Sequence, residues 1–155
     1  MILDRVDRLP DGRHIVVDYK TGKVSPSAWF GERPDEPQLP LYATLLQADL
    51  AGVVFAQLRP GEMGYRGVVA EAELVPDARL PSALEGYAGT GDWQTLLNQW
   101  SQTIHRLARE FRDSHTAVDP RDAPQTCRHC ALIGLCRITE ADGALFLDEA
   151  QAGDG

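Results

Sequence analysis

The apolar residues of this chain follow two rhythms, short β-branched runs in its first half and one long helical stripe in its second. Residues 3–7 and 16–20 read as two strands joined by Pro10-Asp11-Gly12. Residues 52–59 form an apolar run that reads as a buried strand. Residues 65–74, centred on Val68-Val69, read as its returning partner across a turn at residues 60–64. Between the two pairs, Leu41, Tyr42, Leu45, Leu46 and Asp49 keep i, i+3, i+4 spacing and predict a helix over residues 37–50. Pro37 and Pro40 are tolerable only in its first turn. Asp92 suits an N-cap, and Trp93, Leu96, Leu97, Trp100, Ile104, Leu107, Ala108 and Phe111 then mark one apolar stripe. His105, Arg106, Arg109 and Arg112 lie at or off its edge, as a solvated basic rim or a track for phosphates, with His105 read as a surface residue rather than a ligand. Residues 22–37 and 76–91 read as loops, the second with one short helical turn. The first carries Trp29-Phe30 as an exposed aromatic pair, either a local anchor or a base-stacking contact.

The turn between the first two strands fixes which side chains meet. Leu9-Pro10-Asp11-Gly12 suits a type I turn, with Pro second and Gly fourth. A type I turn followed by a left-handed Gly makes a three-residue hairpin loop, so Leu9 pairs with Arg13. Counting back, Asp4 falls opposite Asp18 and Asp7 opposite Ile15. Opposed residues share a face, and strand side chains alternate. Asp4, Asp18 and Lys20 therefore share one face, and Asp7 points to the other. A two-residue loop would break this convergence. Two opposed carboxylates repel without a cation between them, which is the physical argument for a divalent metal. Two carboxylates and a lysine on one face suit phosphodiester hydrolysis; the bland alternative is a hairpin with ordinary surface charges.

Length and composition fit one soluble globular domain. No run is long and apolar enough for a transmembrane helix, and no signal peptide is evident, so no membrane role and a cytoplasmic location are expected. The formal net charge of −8 excludes a non-specific nucleic-acid coat and predicts weak DNA affinity for the chain alone. The three cysteines cluster as Cys127-x2-Cys130-x5-Cys136, a spacing that suits metal better than disulfides. Zinc and iron–sulfur clusters both accept thiolates, normally four. His129 lies directly between two of the thiols, where joint coordination is sterically awkward.

These motifs in this order resemble the PD-(D/E)XK nucleases, specifically the RecB-like, AddB-type branch. The matching residues are Asp4-Arg5-Val6-Asp7, Asp18-Tyr19-Lys20-Thr21-Gly22, Gln38-Leu39-Pro40-Leu41-Tyr42 and the cysteine segment through Arg137. The resemblance implies an α/β fold, a restriction-endonuclease-like mixed sheet flanked by helices. It implies a metal-dependent DNA exonuclease of a recombinational-repair helicase–nuclease, with DNA and a helicase subunit or domain as partners. Asp4, Asp18 and the Tyr19 carbonyl would bind Mg²⁺ or Mn²⁺. Lys20 would position or deprotonate the attacking water, Gln38 would position substrate or metal-bound water, and Tyr42 would contact DNA. Cys127, Cys130 and Cys136 would hold three corners of a structural [4Fe-4S] cluster.

The family's upstream helix with its acidic or histidine ligand, a preceding strand and a distant fourth cysteine have no counterpart here. The chain is accordingly expected to be the C-terminal part of a nuclease domain. Its expected division is a truncated core at residues 1–118, a cysteine-rich segment at 119–140 and an acidic tail at 141–155. Two other readings stand beside it: an inactive nuclease-fold module that binds DNA or a partner subunit, and a zinc-binding interaction domain.

Overall fold

The computed structural model describes residues 3–46, 48–89, 91–115, 117, 118, 120, 123–128, 130–136 and 138. The expected tail at residues 141–155 lies outside them, as do His129 and Arg137. The chain divides into two compact units, residues 1–112 and 113–155.

The first unit is built on a mixed sheet of β1 (Arg5–Arg8), β2 (His14–Lys20), β3 (Leu50–Gln57) and β4 (Gly64–Val69), in that spatial order. β1 and β2 are antiparallel, β2 and β3 parallel, and β3 and β4 antiparallel. Parallel neighbours need a crossover, and α1 (Gln38–Leu45) lies in the connection between β2 and β3. α2 (Trp93–Arg112) packs beside α1. β3 is buried along its whole length, which is why its sequence is an unbroken apolar run rather than an alternating one. Gly67 lets β4 approach it: a Cβ there would stand 2.3 Å from the Val53 carbonyl oxygen.

The two faces of the sheet have separate cores. Val16, Val53, Phe55 and Val68 pack with Trp29, Leu39, Leu96 and Trp100 on the helical side. Ile15, Val17, Val54 and Val69 pack with Val75 on the other. Asp92 caps α2 as expected, its carboxylate accepting from the Thr95 N–H and hydroxyl at 2.8 Å each. The apolar stripe of α2 is buried at Leu96 and Trp100, but Phe111 stands 88% exposed.

Four expectations from periodicity need correction. α1 ends at Leu45, because Leu46 is extended and Leu50 already belongs to β3. β4 stops at Val69 rather than running to residue 74, and Leu74 and Val75 instead cover the sheet's second face. The strand starting at residue 52 begins two residues earlier. Trp29-Phe30 is not exposed: the residues are 0% and 8% accessible. A 3₁₀ turn at Pro26–Trp29, capped by Ser25, folds the pair inward. Trp29 meets the rings of Phe55 and Trp100 at 5.0 and 5.9 Å. The anchor reading of that pair holds, and the base-stacking reading falls.

In the second unit, α3 (Ala123–Cys127) and α4 (Ile133–Cys136) carry two of the three cysteines, with Cys130 between them. Among the described residues no helix is long and apolar enough to cross a membrane.

Candidate active site

The hairpin turn has the geometry its residues dictate. The Gly12 N–H donates to the Leu9 carbonyl at 3.0 Å, and the Leu9 N–H donates to the Arg13 carbonyl at 2.8 Å. Gly12 has φ +93°, the left-handed region that favours glycine. Arg5 pairs with Val17 and Asp7 with Ile15, so Asp4 lies at the strand's end on the face of Asp18. Its Oδ2 accepts from the Tyr19 N–H at 3.0 Å. In an extended strand the N–H and C=O of one residue point to the same edge, so the Tyr19 carbonyl looks toward Asp4. The Tyr19 side chain is on the opposite face, where its hydroxyl accepts from Arg5 at 3.2 Å.

Asp18 and Lys20 sit at the C-terminal end of β2, on the helical face. The Asp18 side chain is 3% exposed, and its Oδ2 lies 3.0 Å from Lys20 Nζ. That approach is a charge contact rather than a directed bond, because Oδ2 accepts no well-aligned hydrogen bond. Lys20 Nζ instead donates to Gln38 Oε1 at 2.9 Å, and Gln38 Nε2 donates to the Tyr42 hydroxyl at 2.9 Å. Gln38 and Tyr42 are four apart in α1 and so share a face. Tyr42 also packs against the helical-side core. The ammonium further stands 5.6 Å from the centre of the Phe55 ring. Burial pulls the Lys20 pKa down, but the contact with Asp18 and the charges of Glu36 and Asp4 outweigh it and hold it above the ordinary lysine value. Asp4 is thus near enough for its charge to bear on Lys20.

Gln57 closes the site from β3 and was not anticipated. It is 3% exposed and pairs in register with Lys20. Its Oε1 accepts from the Val24 N–H at 3.1 Å and its Nε2 donates to the Glu62 carbonyl at 2.7 Å. One amide thereby ties together the loops that follow β2 and β3. The only sequence signal was a polar residue ending an apolar run.

Asp7 takes no part. It lies on the far face, paired with Arg5 at 2.7 Å, both side chains well exposed.

The donor set can be tested against a divalent cation. Among the described residues no three His, Cys, Asp or Glu side chains gather into a metal-holding group. Mg²⁺ is commonly held by one or two carboxylates, keeping several waters and substrate phosphates as its other ligands. Asp18 offers a buried carboxylate facing Lys20 at 3.0 Å, and Asp4 and the Tyr19 carbonyl offer hard oxygens beside it. These residues fit the cation. The cysteines do not form a comparable set. All three are free thiols. Burial, then the neighbouring Cys136 and Cys130, push the Cys127 thiol up.

A mixed α/β sheet with carboxylates and a lysine on the end of a central strand defines a nuclease-type domain. The family model of the PD-(D/E)XK nuclease superfamily matches residues 2–137, and the chain belongs to that superfamily. Its fold is accordingly restriction-endonuclease-like, and members of the superfamily are in general metal-dependent nucleases. Neither a curated protein nor a solved structure matches the chain.

Proposed function

We propose that this chain is the Mg²⁺- or Mn²⁺-dependent DNA exonuclease domain of a cytoplasmic, RecB-like or AddB-type recombinational-repair helicase–nuclease. The observation that carries the reading is the linked set on one sheet face: Asp4, the buried Asp18, and Lys20 braced by Gln38 and Tyr42. Asp4, Asp18 and the Tyr19 carbonyl would hold the metal. When bound, it supplies Lewis-acid polarisation of the phosphoryl oxygen and a more acidic water.

The chain's own residues supply the rest. Lys20 positions or deprotonates the attacking water and stabilises negative charge on the phosphorane. Gln38 fixes the ammonium through Oε1, and the Tyr42 hydroxyl fixes Gln38. The α1 side of the site thereby sets where the nucleophile and strand must lie. The cysteine segment is assigned no step; Cys127, Cys130 and Cys136 would supply three thiolates of a structural [4Fe-4S] cluster.

The test is cleavage of end-labelled single- and double-stranded DNA by the chain with and without Mg²⁺ or Mn²⁺. Lys20→Ala is expected to cut the rate by about 10²–10³-fold, the usual cost of losing a charge stabiliser, without loss of fold or DNA binding. A chain that binds DNA and never cuts it would be an inactive binding module.

A further inference from the structure

We infer that the cleft between residues 24–27 and β4 is a phosphate subsite for the strand being cut; the inference rests on the nuclease reading and adds a place where the substrate backbone is held. Asp18 pairs with Phe55, and Phe55 pairs with Arg66. Opposed residues share a face, so Arg66 lies in the same cross-strand row as Asp18. Two inter-strand steps put it about 10 Å away. The cleft is about 500 Å³, with Ser25 and Ser27 on one wall and Arg66 and Arg79 on the other.

Arg79 is brought there by the backbone. It bridges to Val68, its N–H donating to the Gly67 carbonyl and its carbonyl accepting from the Val69 N–H, both at 3.0 Å. The arginines of this cleft are also less engaged than others in the unit. Arg5, Arg13 and Arg106 close onto carboxylates at 2.7 Å. Arg66 stands 3.8 Å from Asp77 and donates to its neighbour's carbonyl, the Tyr65 oxygen, at 2.7 Å. The Arg79 guanidinium has no ion pair among the described residues and is exposed. Two guanidiniums thus line one cleft with two serines, whose hydroxyls hydrogen-bond to each other at 2.7 Å.

The charge of the chain makes a local site necessary. At −8 overall, its field repels a polyanion, so phosphates have to be met by placed cations. Asp77 and Glu85 also line the cleft, and they cancel its formal charge. The subsite therefore holds the backbone weakly, as a strand that advances after each cut requires.

The experiment is binding of a fluorescent oligothymidylate to the full chain in Ca²⁺ across a salt series. Arg66→Gln with Arg79→Gln is expected to weaken binding and to flatten the slope of log K against log salt by about 1.4, two contacts at about 0.7 each for a single strand. Arg66→Lys with Arg79→Lys should restore most of the slope, and Asp77→Asn with Glu85→Gln should tighten binding. Wild-type affinity and slope in the glutamine pair, with the wild-type chain binding normally, overturn the subsite alone. A wild-type chain that binds no oligonucleotide even at low salt overturns the subsite, and the nuclease reading then stands or falls on metal-dependent cleavage. If the glutamine pair melts early, the Asp77 and Glu85 variant decides the matter, and unchanged affinity there counts against the subsite.

Discussion

Asp7 and Asp18 belong to one hairpin and carry the same functional group, yet they occupy opposite chemical worlds. Asp18 is buried at the end of β2, in charge contact with Lys20 and in register with Phe55. Asp7 stands on the other face, exposed and closed onto Arg5. The register set by a three-residue turn separates them. Shifting it by one residue would exchange the faces. The difference teaches that a carboxylate joins the buried cluster with Lys20 by its place in the pleat, not by its presence in an acidic motif.

The strongest way to break that comparison is to remove each carboxylate in turn. Asp18→Ala and Asp4→Ala are expected to cost at least the 10²–10³-fold expected for Lys20 in metal-dependent cleavage. Asp7→Ala is expected to stay within a few-fold of wild type. Equal losses from Asp7→Ala and Asp4→Ala would show that both faces serve the site, and the deduced division would fail.

A second test sharpens the comparison by asking what keeps the site face in shape. Gln57 joins the Val24 N–H and the Glu62 carbonyl across the end of the sheet. Gln57→Ala leaves both without that partner. A buried group left unpaired costs about 1–3 kcal/mol, and the lower end applies because Glu62 is exposed. Thermal melts should show this loss, and cleavage should fall with it, whereas Asp7→Ala should leave the melt nearly unchanged. A Gln57→Ala protein as stable and active as wild type would remove Gln57 from the account.

The contrast between the faces was legible because its causes are local. Pro10 and Gly12 specify the turn, the turn specifies the register, and the register places Asp4, Asp18 and Asp7. What escaped the sequence depends on distant packing. Trp29 and Phe30 sit in a loop rich in Gly, Pro and Ser, yet the capped turn before them delivers both rings to Phe55 and Trp100. Helical spacing runs past Leu45, but Leu50 and Ala51 are claimed by the sheet, where both are buried. Gln57 looks like any polar residue at a strand end until the two loops it ties are folded. Arg66 and Arg79 lie thirteen positions apart and meet only through the bridge from Val68 to Arg79.

A third aspartate supplies the smallest and cleanest test, since among the described residues it is in no ion pair. Asp92 caps α2, and its carboxylate is held below the ordinary aspartate value by the Thr95 hydroxyl and then the Thr95 N–H. A carboxylate whose folded pKa is depressed contributes stability that is fully present above the unfolded value of 3.8 and is lost as pH falls through the folded value. Asn caps about as well as Asp but carries no charge. Asp92→Asn should therefore lose only the charge-dependent part of the cap at neutral pH, and Asp92→Ala should lose both parts. In melts run from neutral pH downward, the gap between wild type and Asp92→Asn should close once pH passes below the folded value, while Asp92→Ala should stay less stable than Asp92→Asn. A gap to Asp92→Asn that persists in acid would mean that the carboxylate acts by shape alone. Its contrast with Asp18, whose burial against Lys20 makes charge the central fact, would then be wider still.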